Sequence, residues 1–371
     1  MKIAYTINGI FNSAGKERTL ISRANYLADK MGHDVSIITT YQAGRAPFFC
    51  VSDKVKLIDL DVRYDKEENS RFRLIKNVFL KRIHRQRLQE ILEREQFDIV
   101  DSLMDFDFGF LYKIKDRSRK IAEYHFYRYS KVKEARNKLF KFLQYLRVRT
   151  WKSTVKKYDR FVVLTHEDAG YWGNLSNIEV IPNFIKLPEN ISSDDRKKIV
   201  LSIGRFTYQK GFDRLIDVWN IVHNNALDWK LKIIGGGDKD SIRRKIESYG
   251  LEDSVVLEDA TPEIAREYCS GSLYVMTSRY EGLPMVLLEA MSYGLPVVSY
   301  DFPCGPVDIV KSGFGSLVPN GDVNRMASEI LMWIKDDVKR NNGSKYAIEE
   351  SKLYTEDIIM EKWKALFNGL L

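Results

Sequence analysis

Two glutamates, Glu281 and Glu289, flank a Gly-Leu-Pro step in the stretch SRYEGLPMVLLEAMSYGLPVVSYD, Ser278 to Asp301. The preceding LYVMTS has the pattern of a buried strand, and PMVLLEAMSYG that of a helix with Pro284 at its first position and Gly294 and Pro296 beyond its end. Glu281 is then a loop residue and Glu289 sits in the second helical turn. Were the whole span helical, the eight-residue step would separate their Cα atoms by about 12 Å, and helical side chains lean toward the N-terminus. Both carboxylates can therefore flank one helix start, whose free N–H groups and partial positive charge favour a phosphate. A ligand with phosphate between two hydroxyl-bearing rings fits this pattern. The same residues are also compatible with plain dipole complementation by one Glu and solvation of the other.

Other strand ends carry similar chemistry. SIGRFTYQKG closes a strand with Gly204 and follows it with Arg205 and Lys210, two cations ahead of a helix beginning near Gly211, as a diphosphate requires. IIGGGD ends the next strand with Gly235, Gly236 and Gly237, which permit a close backbone approach or simply a tight turn. In NGIFNSAGKERT, Gly15 lies in the first loop, before a helix, and His125 ends the strand KIAEYH. Neither a G-x-G-x-x-G fingerprint nor a P-loop is present. The Asp105–Asp107 DFD matches an Asp-x-Asp metal motif by letters, yet it belongs to the first half of the chain, so no metal site is expected.

The elements that must position these residues alternate between strand and helix. KIAYTIN, DVSIITT, VKLIDL, DIVDSL, KIAEYH, RFVVLT and IEVIPN form a first series. PNFIKLPENISSDDRKK interrupts it, and KIVLSIG, LKIIGGG, VVLEDA, LYVMTS and PVVSYD form a second. The expected fold class is α/β, with two doubly wound, Rossmann-like domains. Residues 1–181 form the first domain, 182–197 a linker and 198–353 the second domain, with a last helix within 354–371 packing back toward the first. Ligands of such sheets bind beyond the carboxyl ends of the strands, here in the cleft between the domains.

The 371 residues, 44% hydrophobic, suffice for two such domains. Met1 leads directly into a strand pattern and no apolar run is long enough to span a membrane, so a cytoplasmic protein is expected. Cys50, Cys269 and Cys304 have neither disulfide nor zinc spacing. Charge is uneven: residues 71–160 carry 25 Lys and Arg against 11 Asp and Glu, which leaves the remainder at about −6 of a net +8. Three readings of these basic, aromatic-rich helices stay open: a solvated face, contact with an anionic membrane, or binding of an anionic acceptor. No nucleic-acid-binding module is recognisable, and nucleic acid is not an expected partner.

GRFTYQKG, the long segment from Ser278 through FPCGPVDIV, and GFGSLVPNGD together resemble the retaining glycosyltransferases of family four, whose GT-B fold sets two Rossmann-like domains face to face. The resemblance is tight over 198–322 and looser before it. It implies a nucleotide-sugar donor, a UDP-hexose or UDP-N-acetylhexosamine, and a glycan or lipid-linked acceptor of a bacterial surface polysaccharide, with no cofactor. By the same resemblance, Arg205 and Lys210 hold the donor diphosphate, Glu281 touches the transferred sugar, and Glu289 binds the ribose. Gly282, Leu283, Pro284 and Met285 lie against sugar and phosphates. Gly204, Gly235 and Gly236 line the approach, and Glu258, Asp259 and Ala260 neighbour the base. Gly15 meets the diphosphate from the opposite domain and His125 sits near the reacting carbon. SAGKER departs from the adjacent glycines frequent in the family's first loop, and Asp259 stands where glycine is common. A GDP-mannose enzyme, a UDP-sugar epimerase of the same fold and a non-catalytic sugar-nucleotide or membrane-binding protein are the rival readings.

Overall fold

The computed structural model describes residues 1–64, 72–135, 137–189 and 196–371. Its first half alternates β1 (Lys2–Ile7), α1 (Gly15–Asp29), β2 (Asp34–Thr39), β3 (Val55–Asp59), α2 (Phe72–Glu95), β4 (Ile99–Ser102), β5 (Arg119–Tyr124), α3 (Ser130–Glu134), α4 (Lys138–Val155), β6 (Arg160–Val163), α5 (His166–Trp172) and β7 (Ile178–Val180). These strands form one parallel sheet in the order β3-β2-β1-β4-β5-β6-β7.

The second half runs β8 (Ile199–Ile203), α6 (Phe212–His223), β9 (Lys230–Ile234), α7 (Asp240–Tyr249), β10 (Val255–Glu258), α8 (Ile264–Ser270), β11 (Leu273–Met276), α9 (Met285–Ser292), β12 (Val297–Asp301), α10 (Pro306–Ile309), β13 (Gly315–Pro319), α11 (Val323–Lys335), α12 (Asp337–Ser351) and α13 (Glu356–Asn368). Its parallel sheet has the order β10-β9-β8-β11-β12-β13. The strand β13 was not anticipated: GSLVP has no alternation of its own, and pairing with all five residues of β12 makes it a strand.

Both sheets are doubly wound, which explains their apolar runs: Ile3, Ala4 and Tyr5 in β1 and Leu273 to Val275 in β11 are fully buried, because helices cover both faces. Of the interval 182–197, residues 190–195 lie outside the described residues; before them Ile185 pairs with Thr355 just ahead of α13. That helix buries Ile359, Met360, Trp363 and Phe367 in the core of the first sheet with Ile3, Leu20 and Ile99. The chain's last helix therefore belongs to the first domain's core.

Each sheet has one point where successive crossovers leave in opposite directions, between β1 and β4 and between β8 and β11. The loops after these four strands splay apart and leave a crevice at the carboxyl edge. Residues 8–14, 103–110, 204–211 and 277–284 are those loops.

Candidate active site

Glu281 lies in the loop after β11, 9% exposed, and three donors from its own domain converge on its carboxylate. Lys210 Nζ donates to Oε1 at 2.8 Å, Ser278 Oγ to the same atom at 2.8 Å, and Gln209 Nε2 to Oε2 at 2.9 Å. Lys210 and Gln209 come from the loop after β8, so the switch point itself brings the cation and the acid together. Gly211 makes this possible at φ +67°, where a Cβ would lie 2.2 Å from the Thr277 carbonyl oxygen. The pair is partly buried, so its attraction is little screened.

The sequence resemblance puts Lys210 on the diphosphate and Glu281 on the transferred sugar of one donor, and it singles out neither Gln209 nor Ser278. Only the adjacency of the two loops makes them partners. Arg205, by contrast, is exposed, and among the described residues it forms no ion pair. Gly204 packs against the Lys210 side chain, while a Cβ on Gly235 would fall 1.8 Å from the Gly204 carbonyl oxygen. The close approach at Gly235 is therefore strand-end packing. At Gly236 an added Cβ meets nothing within 4 Å, leaving that backbone open. Glu258 pairs with Lys232 at 2.9 Å, and its carbonyl accepts from Gly235 N; Asp259 is exposed and pairs with Lys239, and Ala260 is exposed beside it.

The helix α9 begins at Met285 with Pro284 as its N-cap, one position later than the sequence suggests. Leu283 and Pro284 are buried and Met285 half-buried. Glu289 does not turn back to the start of α9. Its Oε2 accepts from Tyr268 Oη at 3.0 Å, and its Oε1 lies 2.5 Å from Arg18 Nη2 in the first turn of α1, on the opposite domain. Neither Arg18 nor Tyr268 was visible as a partner from the sequence, their separation being 271 and 21 residues.

The two domains meet closely at Gly282. A Cβ there would fall 2.1 Å from the His125 carbonyl oxygen and 3.0 Å from Phe126 Cα, so only glycine lets the loop after β11 rest on the end of β5. This brings Glu281 and His125, read independently from two strand ends, onto neighbouring backbone. His125 is 8% exposed, and its Nε2 is 3.0 Å from Glu123 Oε1. Glu123 also takes both Nη groups of Arg23, itself stacked 4.0 Å from the Trp363 ring of α13. Burial opposes ionisation of Glu123, but Arg23 and His125 outweigh it and hold the carboxyl well below its usual range. Asp101 beside it is pushed well above that range by burial and the Glu123 charge. One ionised carboxylate therefore sits beneath His125.

The first loop is held from below. Asp105 Oδ2 accepts from Asn8 N at 2.8 Å and from Lys16 Nζ at 2.7 Å, and Asp107 accepts from Thr6 Oγ1 at 2.6 Å. The DFD letters thus serve as a loop clamp. Gly15 opens α1 with free space where a side chain would be, and the N-cap Ala14 contributes no side-chain bond, so the helix start keeps open N–H groups. Among the described residues no group of three or more His, Cys, Asp or Glu could hold a metal ion.

A crevice with a Lys-stabilised acid, an open helix start on the facing domain and glycine strand ends suits an anionic, hydroxylated ligand. Comparison with known proteins agrees with that chemistry. The description Glycosyltransferase Family 4 matches residues 14–188 and Glycosyl transferases group 1 matches 183–350. A glycosyltransferase of Haemophilus influenzae is 30% identical over 98% of this chain and 99% of its own, and the amylovoran biosynthesis glycosyltransferase AmsD of Erwinia amylovora is 28% identical over 99% of each. The chain belongs to the group 1, family 4 glycosyltransferases, and the two-sheet architecture is the GT-B fold. A TarM mutant of S. aureus, solved with Fondaparinux, alpha-GlcNAc-glycerol and UDP, superposes with TM-score 0.78 over 99% of this chain and 100% of its own at 19% identity.

Proposed function

We propose that this glycosyltransferase moves a hexose or N-acetylhexosamine from a UDP-sugar to a glycan or lipid-linked acceptor of a bacterial surface polysaccharide, with retention and without a metal. The observation that carries the reading is the Lys210–Glu281 pair at the second switch point, resting through Gly282 on His125. The relatives support the donor and acceptor classes, since TarM was solved with UDP and AmsD is named for amylovoran biosynthesis.

In this reading Lys210 and Arg205, with the N–H groups at the starts of α9 and α1, hold the diphosphate through Gly15 and Met285. Charge growing on the leaving phosphate meets fixed positive groups. Glu281 faces the transferred sugar, Glu289 the ribose, and Glu258, Asp259 and Ala260 flank the base. His125, with its carboxylate partner, lies on the acceptor side of the reacting carbon. The protein works at the inner face of the cell membrane, its basic first-domain helices toward anionic lipid. Among the described residues no helix is long and apolar enough to cross a membrane.

Release of nucleoside diphosphate from a panel of UDP- and GDP-sugars, with and without acceptor and with and without EDTA, tests the reading. Acceptor-dependent UDP release insensitive to EDTA is expected. Sugar isomerisation without transfer marks an epimerase, and GDP release from GDP-mannose the mannosyl alternative. The anomeric coupling of the product reports retention.

A further inference from the structure

We propose that the first half of α4 is an interfacial anchor whose apolar side chains insert among the lipids of an anionic bilayer. This rests on the membrane-facing reading above and replaces simple charge attraction with insertion.

Residues 138–147 of α4 are exposed except for half-buried Gln144, and burial begins at Val148. Leu139 is 66% exposed, Phe140 57%, Phe142 58% and Leu143 50%, with Tyr145 and Leu146 also exposed. At about 3.6 residues per turn, Leu139, Phe140, Phe142, Leu143 and Leu146 fall in one arc, and Gln144, Val148 and Val155, which face the body, fall opposite. The apolar arc therefore points away from the protein. An ordinary amphipathic helix does the reverse, and single exposed apolar residues are common while contiguous ones mark an interaction surface.

Charge selects the occupant. From residue 135 to 158 there are eight Lys and Arg and no Asp or Glu. Lys138 and Arg149 border the arc on one side, Arg147 stands within it between Leu143 and Phe140, and Lys141 lies on the far side, all exposed. An exposed apolar arc bordered and interrupted by cations, with no acid along the segment, suits anionic headgroups over acyl chains. A second copy of the chain would set two acid-free cationic faces against each other, which repel.

Position gives the anchor its use. The Tyr145 ring stacks on Tyr129 at 6.3 Å, Tyr129 touches Tyr127, and Tyr127 packs with Tyr280 and Cys304 of the second domain. Tyr280 directly precedes Glu281, so one aromatic cluster separates the lipid-facing helix from the cleft. A lipid-linked acceptor would reach the site from that side.

Full-length protein is to be floated with vesicles of phosphatidylcholine plus phosphatidylglycerol and of phosphatidylcholine alone, across a salt series. The wild type binds the anionic vesicles and keeps part of that binding at high salt. Phe142→Glu with Leu143→Glu loses at least about tenfold in vesicle affinity while UDP affinity is unchanged. A Phe142→Trp variant shows a blue-shifted emission component quenched by brominated lipid. If the double variant binds as wild type does, or brominated lipid leaves the Phe142→Trp signal untouched, insertion is overturned even though salt-sensitive adhesion persists. Concentration-dependent dimerisation abolished by Phe142→Glu, without any vesicle effect, overturns it in favour of a second copy. Loss of UDP release with vesicle binding intact counts against the enzymatic reading alone.

Discussion

Arg18 Nη2 lies 2.5 Å from Glu289 Oε1, so the acid assigned to the ribose is engaged across the cleft by the facing domain. Arg18 is about half exposed, and ion pairs of that kind contribute on the order of 0–1 kcal/mol. Ribose hydroxyls can displace it. Arg18→Ala is therefore expected to tighten binding of uridine, which has no phosphate for the guanidinium to meet, by up to about fivefold. Weaker uridine binding in calorimetry would show that Arg18 is a ligand and no competitor.

The two acids should separate in calorimetry. Glu289→Ala leaves ribose hydroxyls without a partner and should weaken UDP by about 1–3 kcal/mol. Glu281→Ala frees Lys210 Nζ from its 2.8 Å partner, so UDP affinity should hold or rise while turnover of the UDP-sugar falls. Equal losses of UDP affinity in both variants would refute one acid per sugar ring.

Lys210→Met removes the cation and strands Glu281 among Ser278 and Gln209. Loss of a fixed charge at the leaving group should lower kcat by about 10²–10³-fold. The comparison is with Arg205→Met, exposed and without an ion pair among the described residues, whose effect should be smaller in a donor-free thermal melt than that of Lys210→Met.

Gly282→Ala places a methyl 2.1 Å from the His125 carbonyl oxygen. The contact must open, costing about 1–3 kcal/mol by overpacking and parting Glu281 from the acceptor side. The expected result is a folded protein with a lower Tm, near-normal UDP affinity and strongly reduced transfer. Gly236→Ala, which meets nothing within 4 Å, is the control for the fold.

Two buried groups give stability opposite dependences on pH. Burial raises the Asp168 carboxyl from 3.8 to about 6, so the native state holds its proton more tightly than the unfolded chain. Its contribution is present below pH about 4 and lost as pH rises through 6, on the order of 3 kcal/mol. Burial, with repulsion from Lys81, lowers His84 from 6.5 to about 4. That contribution is present above pH 6.5 and lost as pH falls through 4. Relative to wild type, Asp168→Asn should gain urea resistance as pH rises from about 4 to 6, and His84→Gln as pH falls from about 6.5 to 4. Slopes of the same sign would refute the assignment.

The sequence by itself determined what depends on near neighbours in the chain. Apolar strands alternating with helices specified two doubly wound sheets, because each run must bury both faces. Glycines at strand ends and the Gly-Leu-Pro turn marked the carboxyl edges, because backbone constraints there are local. Tertiary structure decided the partners. Lys210 meets Glu281 across 71 residues, and Arg18 meets Glu289 across 271. Such pairs depend on the order of strands in a sheet and on how two sheets face, and side-chain type records neither. The strand β13 exists because β12 offers it a hydrogen-bonding edge. Arg23, Glu123 and Asp101 are buried together although each has the composition of a surface residue, since the Arg23–Glu123 ion pair and the Trp363 ring replace water. The interleaved bases and aromatics of α4 were legible as an amphipathic helix. Only the packed fold shows which side of it faces out.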